Sequence, residues 1–298
     1  MKMLYMEAPV LLITFNRPDT TKKVLDVLRK AKPQKLYVYN DGPRPNNLND
    51  LNARHEINNI LKTIDWACKL ETNFPEHNQG CGRGVSGAIS WAFNNEDRLI
   101  ILEDDCVPVL SFFNYCNYCL EKYKDDEIVM QIAGNNYTEN HNFTGKDYFF
   151  SKFGHISGWA TWKRAWAHFD FNMTDWPSFR NGIKKSTIFD KRIIKYLTNA
   201  FNDYYSDHKK PWAIRWMYAK FKNNGLSIVP KVNLVKHIGV NGTNSDFLFT
   251  RVTDKYSIKN EPSSIICNDL YDKYHFDHHI NPRELLSSKI IRKIKNMV

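Results

Sequence analysis

The chain has 298 residues, 42% of them hydrophobic and 14% aromatic, with a formal net charge of +10. That composition excludes a disordered binder, and the length suits one large α/β domain or two joined halves. The positive balance points to an anionic partner. No window of about 18 apolar residues occurs and Met1–Glu7 lacks the apolar core of a signal peptide, so a cytoplasmic location is expected.

The run Ala8–Phe15 reads as a first buried strand, ending in the turn Asn16-Arg17-Pro18-Asp19-Thr20. Thr20 or Asp19 can cap a helix whose apolar positions are Val24, Leu25, Val27 and Leu28. A second strand, Leu36–Tyr39, ends in Asn40-Asp41-Gly42-Pro43. The segment Asn47–Lys69 reads as helix, and a short strand follows near Leu70–Asn73. Then comes Asn78-Gln79-Gly80-Cys81-Gly82-Arg83-Gly84 and a helix over Val85–Asn94. Its glycines permit close backbone approach to a ligand, but they lack the preceding strand and the ribose-binding acid of a dinucleotide fingerprint.

Next, Leu99-Ile100-Ile101-Leu102 delivers three consecutive carboxylates, Glu103, Asp104 and Asp105, to a strand end before Pro108. Three adjacent acids repel one another unless a cation or hydroxyl-rich ligand compensates them. Oxygen ligands suit Mg2+ or Mn2+, which share their coordination with substrate phosphates. The alternative is a solvated acidic turn. Strand–helix alternation with short connections predicts a doubly wound, mostly parallel sheet, whose ligands bind at carboxyl strand ends. Arg17, Asp41 and Glu103–Asp105 fall at three such ends.

Farther on, Cys116-Asn117-Tyr118-Cys119 lacks a second cysteine pair for zinc and reads as buried free thiols. Asn135 and Asn136, after the strand Ile128–Ala133, either bond sugar hydroxyls or cap a turn. The second half is rich in tryptophan: Trp159, Trp162, Trp166, Trp176, Trp212 and Trp216. These rings suggest a sugar-stacking groove, although the i, i+4 spacing of Trp162 and Trp166 also suits a helix core. The Asn-x-Thr sequons at Asn136, Asn142, Asn172 and Asn241 reflect the asparagine-rich composition.

The stretches Pro9–Pro18, Asp41–Pro43, Asn78–Phe93, Leu99–Pro108, Gly158–Trp166 and Trp212–Gly239, taken together in order and spacing, resemble GT-A-fold nucleotide-sugar glycosyltransferases. Within that fold the chain is most similar to the N-acetylglucosaminyltransferase I type and to bacterial sugar transferases of surface-polysaccharide synthesis. The resemblance spans roughly residues 8–245 and implies a Rossmann-like α/β sheet. It divides the domain into a nucleotide-sugar half (1–110) and an acceptor half (111–280), followed by a basic tail (281–298).

The resemblance makes Asp105 the metal ligand, with Asp104 and Glu103 near ribose, donor sugar or metal-bound water. Thr14, Asn16, Arg17 and Arg83 join them around the nucleotide, and Asp41 faces the uracil N3–H of a UDP-sugar. Gly158 and Trp159 approach the donor sugar. His237 is either a second metal ligand or a structural histidine. The cofactor is Mn2+ or Mg2+, and the acceptor is a glycan or lipid-linked glycan.

The chain departs from the pattern at Trp212-Ala213, where related transferases carry Trp-Asp and use the aspartate as general base in inverting members. Alanine accepts no proton, so Asp207 and Asp203 become substitutes. Thr243-Asn244 likewise replaces Thr-His. Two rival readings follow: a sugar-nucleotide-binding protein without turnover, and a basic nucleic-acid binder, for which no motif is present. In the tail, Leu286, Ile290 and Ile294 share one face with Lys289, Arg292, Lys293 and Lys295 around it. That pattern fits either an interfacial helix on an anionic membrane or a helix packed on the domain.

Overall fold

The computed structural model describes residues 7–138, 143–185, 190–208, 210–239 and 251–281. Thr243, Asn244, the sequons at Asn142 and Asn241 and the basic tail from residue 282 lie outside them.

The chain alternates strand and helix from its start. The first strands and helices are β1 (Val10–Thr14), α1 (Pro18–Ala31), β2 (Lys35–Asn40), α2 (Leu48–Leu61), β3 (Lys69–Asn73), α3 (Gly80–Ala92) and β4 (Arg98–Glu103). After them come β5 (Cys106–Pro108), α4 (Leu110–Lys122), β6 (Val129–Ala133), β7 (Tyr148–Ser151), β8 (Trp159–Trp162) and α5 (Lys163–Trp166). The last are α6 (Trp176–Lys185), α7 (Lys191–Ser206), α8 (Ala213–Lys222), β9 (Leu226–Pro230), β10 (Val235–His237), α9 (Asp269–His275) and a π-helical turn, Phe276–Ile280.

Eight strands form one sheet in the order β3-β2-β1-β4-β8-β6-β9-β7. The first four run parallel, β8 is antiparallel to both neighbours, β6 and β9 are parallel, and β7 closes the edge antiparallel. The expected α/β class with a mostly parallel sheet is therefore what this chain adopts. Residues on either side of position 110 contribute strands to that one sheet.

Strand residues alternate faces, and the packing follows. Val10, Leu12, Leu36, Val38, Ile100 and Leu102 pack with α1, α2 and α4. Leu11, Ile13, Tyr37, Tyr39, Leu99 and Ile101 pack with α3 and with Trp216 and Ala219 of α8. Both faces being covered explains why β1 and β4 read as continuous apolar runs. A third cluster, from Met173 and Trp176 through Leu197, Phe201 and Tyr218, joins α6, α7 and α8.

Three local expectations are corrected. Helix α2 stops at Leu61, not Lys69. The Thr63 hydroxyl bonds the Ile60 carbonyl at 2.7 Å, and Arg29 takes the Thr63 carbonyl at 2.8 Å, so the helical ladder is replaced. Helix α3 begins five residues before Val85, taking the glycines into its first turns. Trp162 and Trp166 share no helix core: Trp162 ends β8 and packs on one sheet face, Trp166 ends α5 and packs on the other.

Lys220 on α8 is fully buried and donates to the Ser227 hydroxyl on β9 at 2.6 Å. Burial pulls its pKa down to about 7, whereas an unfolded lysine titrates near 10.4. Between these values the unfolded chain binds a proton that the folded one lacks. Stability present above about pH 10 is therefore lost as pH falls toward 7, by about 1 kcal/mol per unit. Thermal melts of the native chain should gain about 2–4 °C per unit from pH 7 to 9 relative to Lys220→Met. Parallel slopes for the two proteins would contradict this assignment.

Candidate active site

The parallel register sets Thr14 opposite Asn40 and Ile13 opposite Glu103, so the carboxyl ends of β1, β2 and β4 lie side by side. The acids that follow β4 are thereby drawn under the turn after β1. Asp104 Oδ2 accepts the Phe15 N–H at 3.2 Å. Arg17, at the start of α1, reaches back across both aspartates, with Nη2 2.5 Å from Asp104 Oδ1 and Nη1 2.6 Å from Asp105 Oδ2. Asp104 and Asp105 are only 2% and 7% exposed.

One guanidinium does not balance three carboxylates. Burial, then Asp105 and Asp104, push the Glu103 carboxyl up to about 8; burial raises Asp104 to about 6 despite the neighbouring Arg17. Such a cluster favours a further cation. The antiparallel ribbon of β5 and β10 places His237 opposite Cys106. His237 Nε2 lies 3.5 Å from Asp105 Oδ2, and its Nδ1 is buried with no hydrogen-bond partner among the described residues. Ligand atoms of Asp105, Cys106 and His237 all lie within 4.8 Å of one another. Burial and the adjacent acids hold the Cys106 thiol well above its usual pKa, which leaves carboxylate oxygen and imidazole nitrogen as donors. Such a set suits a divalent cation rather than a thiolate-bound metal.

The other residues expected around a nucleotide are held mostly by the protein itself. Thr14 Oγ1 donates to the Tyr39 carbonyl and accepts from Asn40. The Asn16 amide donates to Asp50 at 2.8 Å, and Asp50 also takes Arg44 through Nε and Nη2 at 2.7 and 2.8 Å. Asp41 accepts from five donors: the Tyr39 hydroxyl, the Asn78 amide and the backbone N–H groups of Gly42, Gln79 and Gly80. A carboxylate offers about four lone-pair sites, so in this arrangement none is left for a uracil N3–H. Asp41 instead caps α3 from outside, satisfying two of its first amides. That cap is why the glycine-rich segment is helical despite its poor propensity. Gly80 has φ +74 and its N–H reaches Asp41; a side chain at Gly82 would meet the Lys210 carbonyl at 2.9 Å.

Arg83 is exposed on the same turn and its guanidinium stacks 4.4 Å from the centre of the Phe171 ring. On the ring's account a second guanidinium, Arg215, also stacks, at 4.3 Å. Arg215 is fully buried, and its N–H groups donate to the carbonyls of Phe171, Lys210, Pro211, Tyr204 and Asp207. It thus binds the end of α7 and the connection into α8 to the region of Gly82. Arg215→Met leaves those carbonyls unsatisfied and should cost about 3 kcal/mol or more, lowering Tm by at least about 6 °C. Arg215→Lys should recover little, because an ammonium lacks the planar fork. Thermal melts check both, and an unchanged Tm in either variant would refute the role.

Ala213 opens α8 at the edge of this region, half-buried. Asp207 is the residue that follows α7, and Asp203 is exposed and pairs with Lys210. Gly158 sits at φ +69, where a side chain would strike Val235 at 2.6 Å. Trp159 is 1% exposed and stacks on Trp212 at 5.5 Å, with Trp166 and Trp216 around it. The six tryptophans are all buried in the core and form no stacking surface for a sugar. Asn135 and Asn136 are 1% exposed and serve the turn: Asn135 accepts the Val235 N–H, Asn136 accepts from Thr138. Cys116 and Cys119 are buried free thiols, as expected.

Sequence reasoning missed Asp50, Arg44, Cys106, Phe171 and Arg215. For Asp50 no signal existed, since it reads as an ordinary acid in a helix's first turn. Arg215 carried one: a charge between Trp212 and Trp216 in an otherwise apolar helix face.

No family model matches the chain, and no curated protein matches it. Among solved structures it is similar to HddC from Yersinia pseudotuberculosis, at 13% identity and a TM-score of 0.30, over 42% of this chain and 57% of that one. The chain thus spans a little over half of HddC. It is also similar to 4-diphosphocytidyl-2C-methyl-D-erythritol synthase from Anaerococcus prevotii, at 10% identity and a TM-score of 0.41, over 84% of this chain and 96% of that one. A third is galactosyltransferase LgtC in complex with donor and acceptor sugar analogs, at 10% identity and a TM-score of 0.35, over 74% and 86%. At such identities function is read from the chemistry of the site. No helix among the described residues is long and apolar enough to cross a membrane.

Proposed function

We propose that the chain is a metal-dependent glycosyltransferase that moves a hexose or N-acetylhexosamine from a UDP-sugar to a glycan or lipid-linked glycan. The observation that supports this most is the buried acid run at the end of β4, facing Arg17 from one side and His237 from the other. In this reading Asp105 and His237 hold Mn2+ or Mg2+, which, when bound, stabilises negative charge on the departing diphosphate. Arg17, 40% exposed at its side chain, offers its fork to phosphate oxygens, and Arg83 is a second phosphate ligand. Glu103 and Asp104 face ribose and donor sugar, while Asp41 and Asn16 hold the surrounding loops. Gly158 lies under the donor sugar, with Trp159 buried behind it in the core.

Transfer with inversion needs a base at the acceptor hydroxyl, and Asp207 or Asp203 takes that part in place of Ala213. Synthesis of a bacterial surface polysaccharide at the inner face of a membrane, with the basic tail on anionic lipid, is the setting proposed. Ala213 favours a second reading, a sugar-nucleotide-binding protein without turnover.

Release of UDP from a panel of UDP-hexoses and UDP-N-acetylhexosamines, with Mn2+ and with EDTA, separates the readings. Release that EDTA abolishes is the expected result. Metal-dependent binding with no release selects the second reading, and neither binding nor release overturns both.

A further inference from the structure

Helix α7 buries Ile193, Ile194, Leu197, Thr198 and Phe201, of which Ile193, Leu197 and Phe201 pack in the cluster shared with α6 and α8. Helical spacing then leaves Tyr196, Asn199 and Asp203 in a row on its outer side. A groove of about 830 Å3 follows that row, lined by these residues with Asn202, Tyr204 and Ile214. We propose that this groove binds the acceptor, as a stretch of neutral oligosaccharide; the inference rests on the glycosyltransferase reading above.

The lining has the chemistry of sugar recognition. Sugars present C–H faces to aromatic rings and hydroxyls to planar polar groups. Both tyrosine rings are braced. Tyr196 meets Phe276 edge-on at 5.5 Å, and Tyr204 lies against the Arg215 guanidinium at 5.4 Å. Bracing reduces the entropy lost on binding. The Trp176 indole N–H fixes the Asn202 amide at 3.0 Å. Asp203 is the charged member of the lining and pairs with Lys210, so the lining residues themselves include no cation for an acidic ligand. A volume near 800 Å3 is at the upper end for small-ligand clefts, enough for two or three sugar rings.

Its position is also right. Ile214 follows Ala213, the position of the missing base. The Tyr204 and Asp207 carbonyls are both held by Arg215, and the Lys210 carbonyl abuts Gly82 on α3. Asp41 caps that same start of α3, and its own N–H donates to the Thr14 carbonyl at the end of β1, the strand end that adjoins Glu103. Groove and acid cluster thus flank the same turn of α3. This explains how an acceptor surface exists although every tryptophan of the second half is buried.

The test is an array of neutral and acidic glycans, probed with the labelled full chain in the presence of UDP and Mn2+. The native chain should be retained by neutral glycans. Asn199→Ala, at an exposed position, should lose at least about tenfold of that signal, and Tyr196→Ala should lose it as well, with Tm confirming that both fold. UDP affinity should stay unchanged in both variants. No retention on neutral glycans, equal retention by Asn199→Ala, or retention confined to acidic glycans would overturn the proposal. Calorimetry with UDP on the same samples keeps the two failures apart: an empty array with intact UDP binding removes the groove alone.

Discussion

Replacing Asp105 by alanine should reduce UDP affinity in the presence of Mn2+ at least about 100-fold, to the level the native chain shows in EDTA. Partners one step removed from a metal already cost about 10- to 100-fold when lost, and Asp105 is assigned here as a direct ligand. The fold should survive. Arg17 keeps Asp104 as its partner at 2.5 Å, and loss of one carboxylate relieves the repulsion that raises Glu103 and Asp104. Equal UDP affinity for Asp105→Ala and native chain in Mn2+, measured by calorimetry, would remove Asp105 from the site. A parallel collapse of Tm would instead assign it a structural part.

The second large effect concerns the helix start at Ala213. Ala213→Asp should raise turnover with little change in donor affinity, because a base acts on the acceptor hydroxyl in the transition state whereas donor binding depends on metal and diphosphate contacts. General-base catalysis contributes about a hundred- to ten-thousand-fold. The position tolerates the change: Ala213 is the first residue of α8, and an acid in a first helical turn is favoured by the dipole by about 0.3–1 kcal/mol. Steady-state kinetics with the UDP-sugar that the native chain cleaves, together with its retained acceptor, decide the matter. A slower aspartate variant would show that another group is the base, with Asp207→Ala and Asp203→Ala as the next measurements.

Where the sequence spoke clearly, one physical signal dominated. The apolar runs of β1, β2 and β4 are buried on both faces, so no other element type competed for them, and the acids after Leu102 could only follow that strand. Arg17 was legible for the same reason, as the charge just beyond β1. Boundaries failed where a distant group decided them. Nothing within residues 78–84 announces a helix; the Asp41 carboxylate, nearly forty positions upstream, caps it. The tryptophans misled because ring chemistry serves sugar stacking and core packing equally, and only tertiary contacts separate the two. The α7 groove was hidden for the converse reason: Tyr196, Asn199 and Asp203 look like an ordinary solvent face until α8 and Arg215 close one wall beside them.

The central claim is that the acid cluster at the end of β4 binds a nucleoside diphosphate through a divalent cation. Titration of the native chain with UDP, once with Mn2+ and once with EDTA, tests it most directly. The account predicts saturable binding with Mn2+ that weakens at least about 100-fold in EDTA; equal affinity in the two conditions, or no binding in either, would contradict it.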